Sequence, residues 1–244
     1  MHKAFTHLNL LIISTILLFV GGYPFSSDEK GNDTVVAAEA ESSTVYRHRL
    51  YSEMGLAKVL DFDIFEKAMV GYEKLTAPNK NIFTIIDYSK PSTAERMFVL
   101  DIKNRKVLYS TLVAHGKRSG ENYATTFSNK VGSNMSSLGF FVTENTYQGR
   151  NGYSLIIDGL EKGINDKAKV RSVVIHGAAY ANPAVIKNGN RLGRSQGCPA
   201  LPQNITKPVI NTIKDGTLLF IYANDKSYTQ TSSILAGTQR FAEK

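Results

Sequence analysis

The sequence predicts a mainly β domain, a sandwich or barrel-like sheet, with a small helical segment ahead of it. Three observations carry this. Short runs rich in Val, Ile, Leu and Phe recur between Ile82 and Tyr222. Turn formers separate them, with one short helical stretch among them. A helical period is confined to the residues just before.

Taken in order, the chain opens on Lys3 and an apolar run from Leu8 to Val20, broken by Asn9, Ser14 and Thr15. That run has the size of a signal-peptide core and falls short of the about 20 residues of a bilayer span. Residues 1–22 are therefore read as a signal peptide, or as a short anchor if left uncleaved. Cleavage fits after Gly22, or at a later small residue such as Ala38 or Ala40. Residues 23–46 read as a flexible linker, because Ser26 to Thr44 is polar, small and acidic without apolar period. Residues 47–80 form a helical segment packed on the domain. Leu56, Val59 and Leu60 mark one stripe, and Phe65, Met69 and Tyr72 another. Asp63 and Glu66 resemble a capping pair, and Pro78 closes the segment.

Residues 81–223 form the domain proper. Ile82–Ile86 is an apolar strand. Met97–Ile102 and Val107–Val113 flank Lys103-Asn104-Arg105-Lys106 as a hairpin. Phe140–Thr143, Tyr153–Ile157, Val170–Ile175 and Leu218–Tyr222 complete the set. Pro208–Lys214 reads as a helix with Pro at its start and Asp215-Gly216 at its end. Gly116–Gly139 has no period and is long for a compact domain, so it is expected to line a cleft. Residues 224–244 read as a polar tail.

Composition narrows the chemistry. Hydrophobic residues are 42% and charged residues 20%, ordinary for a globular protein. The net charge of +8 suits an anionic partner surface. No Lys/Arg run or nucleic-acid motif accompanies it, so nucleic acid is not the expected partner. The single cysteine excludes an internal disulfide framework and a cysteine metal cluster.

That cysteine lies in Gly193-Arg194-Ser195-Gln196-Gly197-Cys198-Pro199-Ala200-Leu201. Upstream, Lys169–Gly177 reads as a buried strand ending in His176-Gly177. A Cys and a His at the edges of ordered elements, each beside a glycine, suit thiol catalysis. The thiolate is the nucleophile, and a free thiol needs a base or a positive field near neutral pH. Arg194 is the expected source of part of that field. Gly197 lets the chain turn and bring backbone N–H groups towards an oxyanion. His115, at another strand end, is a candidate for binding substrate or positioning the thiol. Tyr147 and Tyr153 are candidates to offer ring faces to a sugar or a peptide stem.

Strand-His-Gly followed by Arg-Ser-x-Gly-Cys-Pro resembles the L,D-transpeptidase catalytic domain family, and within it the murein L,D-transpeptidases. The likeness extends over roughly residues 55–223. It takes in Ile85-Ile86-Asp87-Tyr88-Ser89, Val113-Ala114-His115-Gly116, Phe127-Ser128-Asn129 and Ser136-Ser137-Leu138-Gly139-Phe140. The wider family shows Ser/Thr-His-Gly-Cys, then an apolar residue and Arg or Asn. Here Gln196 stands for that His and Ala200 for that Arg or Asn.

The resemblance implies a β-sandwich or barrel-like catalytic fold and a secreted enzyme of the periplasm or cell envelope acting on peptidoglycan stem peptides. It implies Cys198 as nucleophile through a thioester, and His176 as base with its ring oriented by the Gly177 carbonyl. Gly197 and Cys198 N–H groups would form the oxyanion site. Arg194, Ser195, Gln196, His115 and Tyr147 would contact substrate. The acceptor would be an amine on another stem or a lipoprotein. With water instead the enzyme would be an L,D-carboxypeptidase. Another cell-wall thiol hydrolase and a non-catalytic wall-binding module are the other readings. No cofactor or metal is required.

Overall fold

The computed structural model describes residues 42–236. The apolar run Leu8–Val20 and the candidate cleavage sites lie outside these residues. Two helices come first, α1 (Ser43–Glu53) and α2 (Phe62–Lys74), with a 3-10 turn at Leu56–Lys58 between them. Strands β1 (Asn79–Asp87), β2 (Met97–Asp101) and β3 (Lys106–Thr111) follow, then β4 (Gly139–Gly149), β5 (Gly152–Gly159) and β6 (Val174–Gly177). After β6 come a 3-10 turn at Ala179–Ala181, α3 (Pro183–Gly189), β7 (Ala200–Leu201), α4 (Gln203–Ile213), β8 (Thr217–Tyr222) and α5 (Lys226–Thr231).

The strands form one eight-stranded sheet in the order β3-β2-β1-β8-β4-β5-β6-β7. Two neighbouring pairs, β1–β8 and β6–β7, are parallel, and the rest are antiparallel. The edges nearly meet. Just past β3, Ala114 bridges Ala200 of β7, with Ala114 N–H to Ala200 O at 2.8 Å and the reverse bond at 3.2 Å. The result is a mainly β, barrel-like sheet, as the run of short strands predicts. Closure removes most of the unpaired edge that an open sheet exposes.

β8 lies at the centre, and all six of its residues are buried, which fits its unbroken apolar sequence. Phe140 stacks on Phe220 with centroids 4.3 Å apart. Against this side α2 buries Ile64, Phe65, Ala68 and Met69. α4 buries Val209, Ile210 and Ile213 and packs on β6, β1 and β5. Burying each such side chain stabilises by about 1.5–3 kcal/mol.

Several sequence readings shift. α1 begins at Ser43, four residues before the expected start, because Ser42 caps it and accepts from Val45 N–H. Asp61, not the Asp63–Glu66 pair, caps α2 by accepting from Asp63 N–H at 2.8 Å. α2 ends at Lys74, before Pro78. β6 is only Val174–Gly177. Val170, read as strand, is 74% exposed, and Ser172 has φ 55° in a turn. α4 starts at Gln203, so Pro208 lies inside it. Proline there lacks the N–H that would reach residue 204, and its ring crowds that carbonyl.

The stretch read as a polar tail departs furthest. Within residues 224–236, α5 is capped by Asp225, and Tyr228 and Leu235 are buried. The anchor is Glu161, a buried carboxylate just after β5. It accepts from Phe140 N–H at 2.8 Å, from Tyr228 OH at 3.1 Å and from Ser232 OH. Burial raises its pKa above the ordinary carboxylate range despite those bonds.

Candidate active site

Register places the two reactive side chains. In the parallel β6–β7 pair, His176 lies opposite Ala200. Two residues back along each strand, Val174 therefore faces Cys198, and Val174 N–H points at the Cys198 sulfur at 3.4 Å. On its other side β6 is held by β5, with His176 opposite Ser154. Cys198 is thus set by strand pairing at one end and by a turn at the other.

Ser195 builds that turn. Its hydroxyl accepts from Gly197 N–H at 3.0 Å and donates to Cys198 O at 2.6 Å. Gly197 has φ 124°, a conformation that a side chain resists. A Cβ there would also lie 2.8 Å from Met135 O. Gly116 is needed for proximity alone, since a Cβ on it would sit 2.9 Å from Gly197 Cα. Gly197 N–H is engaged by Ser195. Of the two amides expected to face an oxyanion, only that of Cys198 is without a partner among the described residues.

The Cys198 thiol is half-buried. Burial pushes its pKa up, and the bond from Val174 and the charge of Arg171 pull it back in part. The thiol donates to Ser172 O at 3.6 Å. Among the described residues no hydrogen bond joins it to His176, a looseness common in a site without substrate. His176 Nδ1 lies 3.1 Å from Gly177 O. A carbonyl only accepts, so Nδ1 carries the proton and Nε2 keeps its lone pair. Burial lowers the imidazole pKa, which keeps the ring neutral at pH 7.

Both residues open onto one cavity of about 440 Å³. Ser195, Gln196 and Arg194 line it too, as the sequence suggests, and Gln196 stands exposed at its rim. Gly132 and Asn134 bring the long loop Gly116–Gly139 to the wall, again as expected. Three expectations shift. Arg194, expected to supply part of the field at the thiol, is engaged elsewhere. Its guanidinium is tied to Glu121 at 2.6 Å and to Gly120 O at 3.0 Å. His115 is buried and does not line the cavity. Its Nδ1 accepts from buried Arg96 at 2.8 Å, and its Nε2 donates to Gly120 O at 3.2 Å. Burial and the Arg96 charge bring its pKa down to about 4. Its backbone carbonyl accepts from Ser195 N–H, so it supports the cysteine loop from behind. Tyr147 is 40% exposed on β4 and outside the lining, and Tyr153 donates to Asn211 Oδ1 at 2.7 Å.

Arg171 is the residue that the sequence reading missed. Its guanidinium donates to Ser128 O at 2.6 Å, Met135 O at 2.5 Å, Ser133 Oγ at 3.2 Å and Ser137 Oγ. It therefore pins the long loop and is the cation whose charge acts on Cys198. Tyr180, Ser172, Arg150 and Asn151 also line the cavity unannounced. Reading Lys169–Gly177 as one buried strand hid Arg171 and Ser172. A charged residue in the middle of such a run was the signal against that reading.

Residues 56–222, more than half of the chain, match the L,D-transpeptidase catalytic domain, and the chain belongs to that family. In structure it is similar to an L,D-transpeptidase from Mycobacterium smegmatis, at 12% identity over 59% of this chain and 59% of that one, with a TM-score of 0.37. It is also similar to the helical cell shape determining protein of Campylobacter jejuni, at 14% identity over 66% and 55%, TM-score 0.40. A third is Mycobacterium tuberculosis L,D-transpeptidase 1, at 13% identity over 59% and 62%, TM-score 0.32. The chain thus spans less than two thirds of the length of each of these proteins. No curated protein matches it in sequence.

Proposed function

We propose that this chain is a cysteine-dependent L,D-transpeptidase acting on peptidoglycan stem peptides through a thioester. One observation carries the reading: in a chain of this family, His176 and Cys198 open onto one cavity with the His176 ring held by Gly177 O. His176 Nε2 takes the thiol proton as sulfur attacks the carbonyl carbon of an L-residue joined to a terminal D-residue. The C–S bond forms, and Cys198 N–H donates to the oxyanion. As the intermediate collapses, the C–N bond breaks and His176 returns the proton to the leaving amine. An amine from another stem or from a lipoprotein then attacks the thioester and releases the thiol. With water as acceptor the same steps give an L,D-carboxypeptidase. Arg171 supports this chemistry because its charge favours the thiolate that burial disfavours.

The substrate sits outside the cytoplasm, so the proposal includes export guided by Lys3 and the Leu8–Val20 run. The mature protein should appear in the cell envelope with a new amino terminus between about residues 21 and 41, where such signals are cut. Amino-terminal sequencing of fractionated cells reads this directly, and a cytoplasmic product that keeps Met1 would contradict it.

The chemistry is tested with purified protein and a tetrapeptide muropeptide. Wild type should gain an acyl adduct by intact-mass spectrometry and release the terminal D-residue. Cys198→Ala should do neither while keeping its fold. An adduct of equal mass on Cys198→Ala would remove Cys198 from the mechanism. An intact wild type that neither acylates nor cleaves would favour a wall-binding module.

A further inference from the structure

The cavity carries an unbalanced charge. Three arginines line it, Arg150, Arg171 and Arg194, and no Asp or Glu does. Arg194 is paired with Glu121 at 2.6 Å, a carboxylate it shares with Arg191 at 2.9 Å. Arg171 spends its donors on two carbonyls and two hydroxyls, and its charge acts on the thiol. Arg150 has neither an acid nor a hydrogen-bond acceptor among the described residues.

Backbone register fixes where Arg150 stands. β4 and β5 pair as Tyr147 with Ser154, Gln148 with Tyr153 and Gly149 with Gly152. Only Arg150 and Asn151 are left to make the turn, and Gly152 after them takes the positive φ of 73°. Ser154 in turn pairs with His176. Following β5 back from Ser154 leads past the His176 end of β6, away from Val174, so the hairpin tip stands beyond His176, and there Arg150 lines the cavity. A guanidinium in this place, with five donors and no acceptor, matches the fork of a carboxylate.

We propose that Arg150 binds a carboxylate of the donor peptide and makes the cavity selective for an acidic stem. This rests on the cavity being the donor site of the reaction above. Two carboxylates of such a donor meet the requirement. One is the free carboxylate of the terminal D-residue. The other is a carboxylate on the side chain of the residue whose carbonyl is attacked. Both share the same chemistry, and amidating each in turn separates them.

Binding of three synthetic tetrapeptides is measured by calorimetry on the Cys198→Ala protein: one with both carboxylates free, one amidated at the terminus and one amidated on the side chain. Acylation by the same peptides is followed on the protein with Cys198 intact. Arg150→Gln should weaken binding of the free peptide about tenfold, the scale of one charge-assisted hydrogen bond. Amidating the carboxylate that Arg150 holds should cost wild type the same factor and cost Arg150→Gln nothing further. Arg150→Glu should weaken the free peptide more than Arg150→Gln does. The proposal is overturned if Arg150→Gln binds the free peptide as tightly as wild type, or loses one equal factor for all three peptides. Acylation that ignores Arg150 would sink this inference and keep the transpeptidase reading. Arg150-dependent binding without acylation would do the reverse, and the absence of both would sink both.

Discussion

At the scale of single residues the site rests on a thiol that burial disfavours as an anion and an imidazole that burial keeps neutral. Both directions predict a pH profile. Alkylation of Cys198 by iodoacetamide should keep rising above the ordinary thiol range, because the folded pKa lies higher than that of a free cysteine. Acylation by a stem peptide should hold down to below pH 6.5 and fail only when His176 takes up a proton, since its folded pKa lies under the ordinary imidazole value of about 6.5. A bell whose acid limb lies above pH 6.5 would contradict the assignment of His176 as base. Arg171→Met should move the alkylation profile to still higher pH, while Arg171→Lys should recover part of the shift. An unmoved profile in Arg171→Met would confine Arg171 to holding the loop. His176→Ala should slow single-turnover acylation about a hundredfold or more. Gln196→Ala, which alters only an exposed rim, should slow it about tenfold, or 1.4 kcal/mol. Equal damage in both would require another base. That Cys198 and His176 share one cavity was legible in the sequence, because a sole cysteine among Ser, Gly and Pro followed a strand ending in His-Gly. Arg171 was not, because its function comes from a turn that hydrophobic patterning cannot show.

At the scale of elements, the strands were legible from their apolar runs, and most fall within a few residues of expectation. The carboxyl-terminal helix was not, since α5 is six residues long and presents one buried tyrosine, too short for a period to emerge. It is held by a distant carboxylate that no local pattern reveals. Glu161→Ala would leave Phe140 N–H and the hydroxyls of Tyr228 and Ser232 without their acceptor. The expected cost is about 3 kcal/mol or more, from the desolvation of several buried donors. Thermal denaturation and limited proteolysis after β8 should report it, and a melting temperature within a degree of wild type would contradict it. Glu161→Gln should keep most of the network, because its amide oxygen accepts from Phe140 and Tyr228 and its nitrogen donates to Ser232. The raised pKa fixes the sign with pH. In wild type the proton-linked part of the Glu161 contribution is fully present below the unfolded carboxylate pKa and is lost as pH rises through the folded value, while the accepted bonds remain.

At the scale of the whole molecule, barrel closure and the site are one construction. Ala114, His115, Gly116 and Lys117 are joined to Ser195 and Ala200 through backbone hydrogen bonds and bridges, with the Arg96–His115 pair buried behind them. His115 was singled out by its place at a strand end, and only the folded chain shows that its ring turns inward. Its folded pKa of about 4 means that the unfolded chain binds a proton that the native state refuses between that value and about 6.5. The wild type should therefore lose stability relative to His115→Gln as pH falls through that window, measured by urea midpoints at each pH. A constant difference would show that the ring does not resist protonation. The same closure has a kinetic consequence. Besides its own Ser195 turn and its pairing with β6, the segment around Cys198 is held by partners 61 to 86 positions earlier in the chain, Ala114 to Ser136. Contacts of such sequence separation form slowly, after local hairpins. On refolding, the β4–β5 hairpin should gain hydrogen-exchange protection first and the turn at Ser195–Cys198 last. Reactivity towards a stem peptide should then return with the slowest phase, so that the chain does not acylate before its barrel has shut.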